Sequence, residues 1–317
     1  MRLRNSRFVR ALQLPCRKAV RLAASCVVSL LTIPVIAAET TRLPLSVYNG
    51  DPVNPDIGGV WEVDPDSLNL PDYRKWLVDG KPIADSLRLS GLKMADGGVQ
   101  GKRAFVPYTP PYMAAWNNRV NAAAAGRPIA GVGTYCWPDS VVGQYLDGPG
   151  IVETPKGVVG RAMFEVTQTP GRVLIDFPEG TVSRIYTDGR SHPDLSPEEH
   201  TIAGHIVGHW EDGVLVTDTV GIRKEVPFGD VLHSDAAHVV TRYSLTEDKR
   251  LDVRIHITDR KALTKPVEIK LRFRRLPAGE ELPEDFCELA GGTVPGADGY
   301  QSYEPLKPSP GWDLPDD

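Results

Sequence analysis

The sequence predicts a mainly β protein: an antiparallel barrel with one covering helix and long loops. Three observations carry this. Short runs rich in β-branched and aromatic residues recur from residue 151 to residue 276, separated by turn signals such as Thr169-Pro-Gly171, Pro178-Glu-Gly180 and Asp212-Gly213. One segment only, 109–126, carries both a helical start and a helical stop. The rest, 64–108 and 126–150, is irregular and dotted with Gly and Pro, as long loops are.

Export comes first along the chain. Residues 1–21 hold seven Lys or Arg and no acid, followed by the apolar run LAASCVVSLLTIPVIA and the small residues Ala37 and Ala38. That is the layout of a signal peptide over residues 1–38, with the mature protein starting near Glu39 in the periplasm or outside the cell. No later stretch is long and apolar enough to span a bilayer, so no stable membrane insertion is expected after processing. Of 36 Lys plus Arg, removing those seven leaves 29 against 41 Asp plus Glu, a net charge of −12. Such a surface argues against nucleic acid or anionic membranes as partners. The remaining cysteines, Cys136 and Cys287, are an even count in an oxidising compartment and are expected to form one disulfide.

The mature chain divides into 39–135, an N-terminal segment with the first barrel strand and the helix; 136–287, the main antiparallel barrel; and 288–317, an extended or disordered tail. The first strand is Asp56-Ile-Gly-Gly-Val-Trp-Glu-Val63. The helix has Thr109 as N-cap, Pro110 at its first position and Gly126 beyond its end. Tyr112, Trp116, Val120 and Ala123 form one stripe, which predicts that this face packs on the barrel or covers its mouth. From Ile151 the chain reads as a meander with strands at Arg161–Thr167, Arg172–Phe177 and Thr181–Tyr186, then the 204–221 hairpin. Val239–Leu245, Leu251–Ile257 and Val267–Leu276 follow.

The 204–221 hairpin holds the densest set of proton-handling side chains. Asp212-Gly213 suits a two-residue type I′ turn, which sets Glu211 against Val214 and His205 against Val220. Alternation then places His205, Val207, His209, Glu211, Val214, Val216, Asp218 and Val220 on one face, with Asp218 diagonal to both histidines. The other face, with Ile206, Trp210 and Leu215, competes for burial. Six of the seven histidines lie between His192 and His238. A carboxylate beside an imidazole fixes its tautomer and raises its pKa, which general acid–base chemistry requires near neutral pH. The same pairing also serves as a satisfied polar contact in barrel walls. The catalytic candidates are His205, Asp218, His192, Asp188 and His238; one imidazole acts as base, with Asp188 or Asp218 orienting it. Arg190 or Arg242 holds an oxyanion or carboxylate, and Trp210 and His233 complete the substrate-binding set. No metal is assigned: on a strand His205 and His209 stand about 13 Å apart at ~3.3 Å per residue, leaving His209 and Glu211 as two ligands where three or four are normal.

Two resemblances follow from these residues. Gly59-x-Trp61 at the head of the first strand resembles the opening of lipocalin-like (calycin) barrels. There the Trp plugs one end and stacks on an Arg of the last strand; Arg272 or Arg274 is the expected partner. Arg-Ile-Tyr-Thr-Asp-Gly-Arg-x-His-Pro, Gly-His-x-x-Gly-x-Trp-Glu-x-x-x-Leu-Val-x-Asp-Thr and His-Ser-Asp-Ala-x-His-Val-Val-x-Arg-Tyr resemble an uncharacterised family of exported proteobacterial and acidobacterial proteins over Asp56 to Cys287. That resemblance implies no activity. The chain departs from it at Cys136, where Cys-Trp-Pro-Asp replaces a Cys-x-Pro-Gly turn. It departs again at His209, where relatives often carry Arg, which favours His205 over His209.

Gly-x-Ser-x-Gly, GxGxxG, a phosphate loop and HExxH are all absent, so no cofactor is expected. The expected function is a cofactor-independent isomerase, lyase or hydrolase acting on a small apolar or aromatic molecule inside the barrel. The alternatives are a noncatalytic small-molecule carrier and a metal protein ligated by His192, His205, His233 or His238.

Overall fold

The structure is a computed structural model and describes residues 54–70, 72–82, 94–95, 98–99, 106–124, 138–146, 151–154, 157–160, 162–228, 231–284, 293–295 and 301–303. The expected signal peptide and both cysteines of the expected disulfide lie outside these residues.

In chain order come β1 (Gly59–Val63), β2 (Trp76–Val78), β3 (Lys81–Pro82), β4 (Met94–Ala95), β5 (Gly98–Val99), α1 (Pro110–Ala124), β6 (Ile151–Thr154) and β7 (Gly157–Gly160). There follow β8 (Met163–Thr169), β9 (Arg172–Asp176), β10 (Val182–Tyr186), β11 (His205–Glu211) and β12 (Val214–Val220). Then come β13 (Ala237–Leu245), β14 (Arg250–Asp259), β15 (Val267–Arg275), β16 (Thr293–Pro295) and β17 (Gln301–Tyr303). Strands β1 and β8 to β15 form the barrel in that order, and β1 pairs with β15 to close it. Closure removes the free edges of an open sheet. The predicted barrel of lipocalin-like type is therefore present.

The meander is broken once. Strand directions cannot alternate all the way round a ring of nine, so one neighbouring pair must run parallel. That pair is β10 and β11, joined through Ile185↔Ile206 and Tyr186↔Val207. A parallel pair needs a crossover rather than a tight turn, and residues 187–204 supply it. This loop is the main feature that the meander reading did not contain.

The barrel interior is packed. Trp61, Phe164, Ile175, Ile185, Leu215, Val253, Leu271 and Phe273 are at most 1% exposed. Tyr145, on a 3-10 turn (Gly143–Tyr145), packs edge-on to Phe164, Phe177 and Phe273 with centroids 5.4, 5.1 and 6.2 Å away. Its hydroxyl lies 2.7 Å from that of Tyr243. Burial raises both phenols, Tyr243 to about 12, so the pair stays neutral.

Trp61 sits inside the barrel as expected, donating its indole N–H to Ile57 O across 2.9 Å. The cation over its ring belongs to Arg275, 4.7 Å from the centroid, and not to Arg272 or Arg274. Those two side chains are engaged outside the barrel, Arg272 with Asp252 and Arg274 with Glu62. Arg275 faces Trp61 across the β1–β15 pair, so register decides the partner. Helix α1 buries Tyr112, Ala115, Trp116 and Arg119. Thr109 stands just before the helix, its carbonyl accepting from Met113 N–H at 2.9 Å, while its hydroxyl donates to Lys261 O at 2.7 Å.

Candidate functional site

The β11–β12 hairpin has the predicted turn and register, with Asp212 and Gly213 both at positive φ and all seven cross-strand pairs from His205↔Val220 to Glu211↔Val214. Its orientation is the reverse of the one an enclosed site needs. Ile206, Leu215, Thr217 and Thr219 are buried at 0–3% exposure, whereas His209 and Glu211 are exposed and His205 and Asp218 half-buried. The His/Asp face therefore forms the outer wall. Gathering apolar side chains inside wins because the inner face meets a packed core, while charged groups on the outer face keep their water.

On that wall the crossover loop completes a chain of polar side chains. His192, from the loop, places Nδ1 2.8 Å from His205 Nδ1 and Nε2 3.0 Å from Asp218 Oδ1. His238 on β13 places Nε2 2.9 Å from the other carboxylate oxygen, Oδ2. Asp218 thus reaches His205 through His192 rather than across the diagonal, and its two oxygens serve two imidazoles. Tyr186, the last residue of β10, stacks on the His205 ring with centroids 5.5 Å apart, and the Arg190 guanidinium lies 3.9 Å from the Tyr186 centroid. Tyr186 was missed in the sequence. Its only signal is the parallel β10–β11 pairing, which puts it beside His205.

Proton positions follow from the partners. An ionised Asp218 only accepts, so Nε2 of His192 carries a hydrogen. If His192 is neutral, its bare Nδ1 accepts from the Nδ1–H of His205, and His205 Nε2 is left bare. If His192 is an imidazolium, it donates from Nδ1 to His205 instead, and His205 Nε2 then carries the hydrogen. One added proton converts His205 from an acceptor at Nε2 to a donor. Burial lowers the His205 pKa, with smaller contributions from His192 and Arg190, so the neutral form persists below the ordinary range.

Other predicted members are elsewhere. Asp188 is exposed and bound to Arg190, 2.6 Å between Oδ2 and Nη2, and that guanidinium holds its carboxyl below the usual range; it orients no histidine. Arg242 binds Glu211 at 3.0 Å near the hairpin turn, and lies about 13 Å along β13 from His238 at ~3.3 Å per residue, too far to serve the same substrate atom. Glu211 also takes His209, at 2.7 Å. Trp210 points to the inner face and packs against the core. His233 is buried, stacked 3.9 Å from Phe228, with its ring nitrogens at the carbonyls of Ser234 and Val226. Carbonyl partners and burial make it structural. Among the described residues no three or more His, Cys, Asp or Glu side chains are arranged to hold a metal ion.

Neither the models of known protein families nor the curated proteins contain a match to this chain.

Proposed function

We propose that the protein is an exported, cofactor-independent acid–base enzyme of the isomerase, lyase or hydrolase kind, working on the outer wall of its barrel. The observation that carries this reading is the continuous chain His205–His192–Asp218–His238, with contacts of 2.8, 3.0 and 2.9 Å. His205 Nε2 takes the substrate proton. The Nδ1 proton of His205 then moves to His192, whose positive charge Asp218 offsets, and the reverse transfer returns a proton to the product. Arg190 and Tyr186 hold the His205 ring in place from the side. Aromatic side chains around Tyr145 pack within the barrel, and the chemistry is therefore assigned to the outer wall, where the histidines stand. The basic N-terminus and apolar run support export. Cys136 and Cys287 are joined in the mature protein, which a two-hydrogen mass increase on reduction tests.

The functional test compares wild type, His205→Gln and Arg242→Gln on a small-molecule extract of the source periplasm, read by mass spectrometry. Expected are conversion by wild type, a loss of about 100-fold in H205Q, the lower end of acid–base contributions, and no change in R242Q, whose side chain lies near the hairpin turn with Glu211. Equal conversion by H205Q, or no conversion by wild type, sinks the reading.

A further inference from the structure

The surface is also indented by an open cleft of about 410 Å³, lined by Glu198, His200, Arg223, Lys224, Glu225 and Asp235. That volume lies within the range of about 300–1,000 Å³ that small-molecule sites occupy. Its walls are locally fixed. The turn Pro197–Glu199 is closed by Ser196, whose N–H and hydroxyl both donate to Glu199 Oε2 at 2.9 Å. Thr201 pairs with Ile222, and Arg223 N–H donates to Thr201 O at 2.9 Å. Two lining residues are tied to the strands that carry the proposed site. His200 lies against Gly221, the residue after β12, and Asp235 precedes His238 by three positions.

The lining charges are not equally available. Asp235 binds Lys261 at 2.8 Å. Glu198 is held by its own backbone N–H and by Ser196, which lowers its pKa. Lys224 has an interaction of its own. Arg223 and Glu225 differ: neither side chain has a hydrogen bond or close ion pair with another described residue, and the charge of Glu225 acts on buried His233 only at longer range. One cation and one anion, each without a close ionic partner among the described residues, therefore flank the same cleft, two positions apart on one turn. A simple anion would meet Glu225 and a simple cation Arg223; a molecule carrying both charges satisfies both.

Resting on the acid–base reading of the outer-wall residues, we infer that the cleft binds the substrate and that the substrate is a small zwitterion. Its carboxylate pairs with Arg223 and its ammonium with Glu225. The test is amide chemical-shift mapping of the full mature protein with alanylalanine, its N-acetyl form and its C-terminal amide. Alanylalanine is expected to shift resonances of residues 198–201 and 222–226. Capping either end, or introducing Arg223→Gln or Glu225→Gln, is expected to weaken binding about tenfold or more. Both substitutions are on the surface, and unchanged thermal melts verify folding. No shifts, or equal binding of the N-acetyl form, overturns the zwitterion site. Binding is expected to survive in H205Q. Retained binding with no enzymatic conversion by wild type rejects the acid–base reading and leaves the cleft assignment standing, whereas conversion without dipeptide binding rejects the cleft assignment alone.

Discussion

His192 Nε2 donates to Asp218 Oδ1 across 3.0 Å, which ties the 187–204 crossover loop to strand β12. His192 is 22% exposed and Asp218 43%, so the bond is partly screened by water. Replacing His192 with Ala is expected to cost about 1 kcal/mol or less in global stability. The local effect is larger, because the loop loses its link to both β11 and β12. Hydrogen exchange is expected to speed up within 187–204 while β13–β15 stay protected. Uniform exchange changes across the barrel would contradict a local tie.

Acid is expected to weaken the fold through two imidazoles. The native pKa of His205 is lowered from 6.5 mainly by burial, and that of His233 is lowered by burial against the opposing pull of its two carbonyls. In both cases the unfolded chain binds more protons as pH falls through the ordinary imidazole value. The stabilisation is therefore complete above that value and declines as pH drops below it. Urea midpoints at pH 7.5 and pH 5 measure the slope, which is expected to be shallower in His205→Gln. Turnover follows the same direction, since the bare Nε2 of His205 is the working form. A midpoint that rises on acidification would refute the assignment.

The environment of His233 makes a separate prediction. Its Nδ1 lies 3.0 Å from Ser234 O and its Nε2 2.9 Å from Val226 O, and a neutral ring has one N–H for these two acceptors. His233→Phe keeps the stacking on Phe228 but removes the remaining donor. A buried carbonyl left without a partner costs about 1–3 kcal/mol, and equilibrium unfolding is expected to show a loss of that size. Unaltered turnover would accompany it, because His233 touches none of the residues of the outer wall.

The hairpin was legible in detail because its turn chemistry and period-two alternation are local. Asp212-Gly213 fixes the register, and all seven pairs follow from it. Which face turns inward was not legible: Ile206, Trp210 and Leu215 on one side compete with Val207, Val214, Val216 and Val220 on the other. Only the enclosed core decides between them. Asp218 and His205 were identifiable as site candidates, but the side chain that bridges them was not, since His192 arrives through a loop with no periodic pattern. The parallel pair was hidden for a related reason, as it depends on the number of strands in the closed ring rather than on any one segment. Tyr145 stood in a Gly-rich stretch that gave no sign of entering a core.

Trp61 and Arg275 join the first and last barrel strands, with the guanidinium 4.7 Å from the ring centroid. Trp61 is fully buried, so Trp61→Ala is expected to cost about 3–5 kcal/mol, as large aromatic truncations do. Arg275→Ala removes the guanidinium over the ring together with its hydrogen bond to Asp56 O and its ion pair with Asp56, and is expected to cost about 1–2 kcal/mol, still below the Trp61 loss. Chemical denaturation distinguishes the two. Equal losses would mean that the ring contributes through the cation rather than through burial.

Gly204 is where the crossover loop re-enters the barrel, and its backbone is at φ +69. A Cβ there would stand 2.7 Å from Thr219 Cγ2 and 2.8 Å from the carbonyl oxygen of Val220. The methyl group of Thr219 can rotate aside, but the Val220 carbonyl belongs to the β11–β12 ladder and cannot. Gly204→Ala therefore combines left-handed backbone strain of about 1 kcal/mol with a backbone clash, and about 2–4 kcal/mol of destabilisation is expected. The same shift moves His205, the next residue, away from His192. Loss of the His192–His205 contact is expected as a change in the imidazole resonances of both rings under conditions where the variant remains folded. If those resonances match wild type while stability falls, the loop entry and the histidine pair are independent.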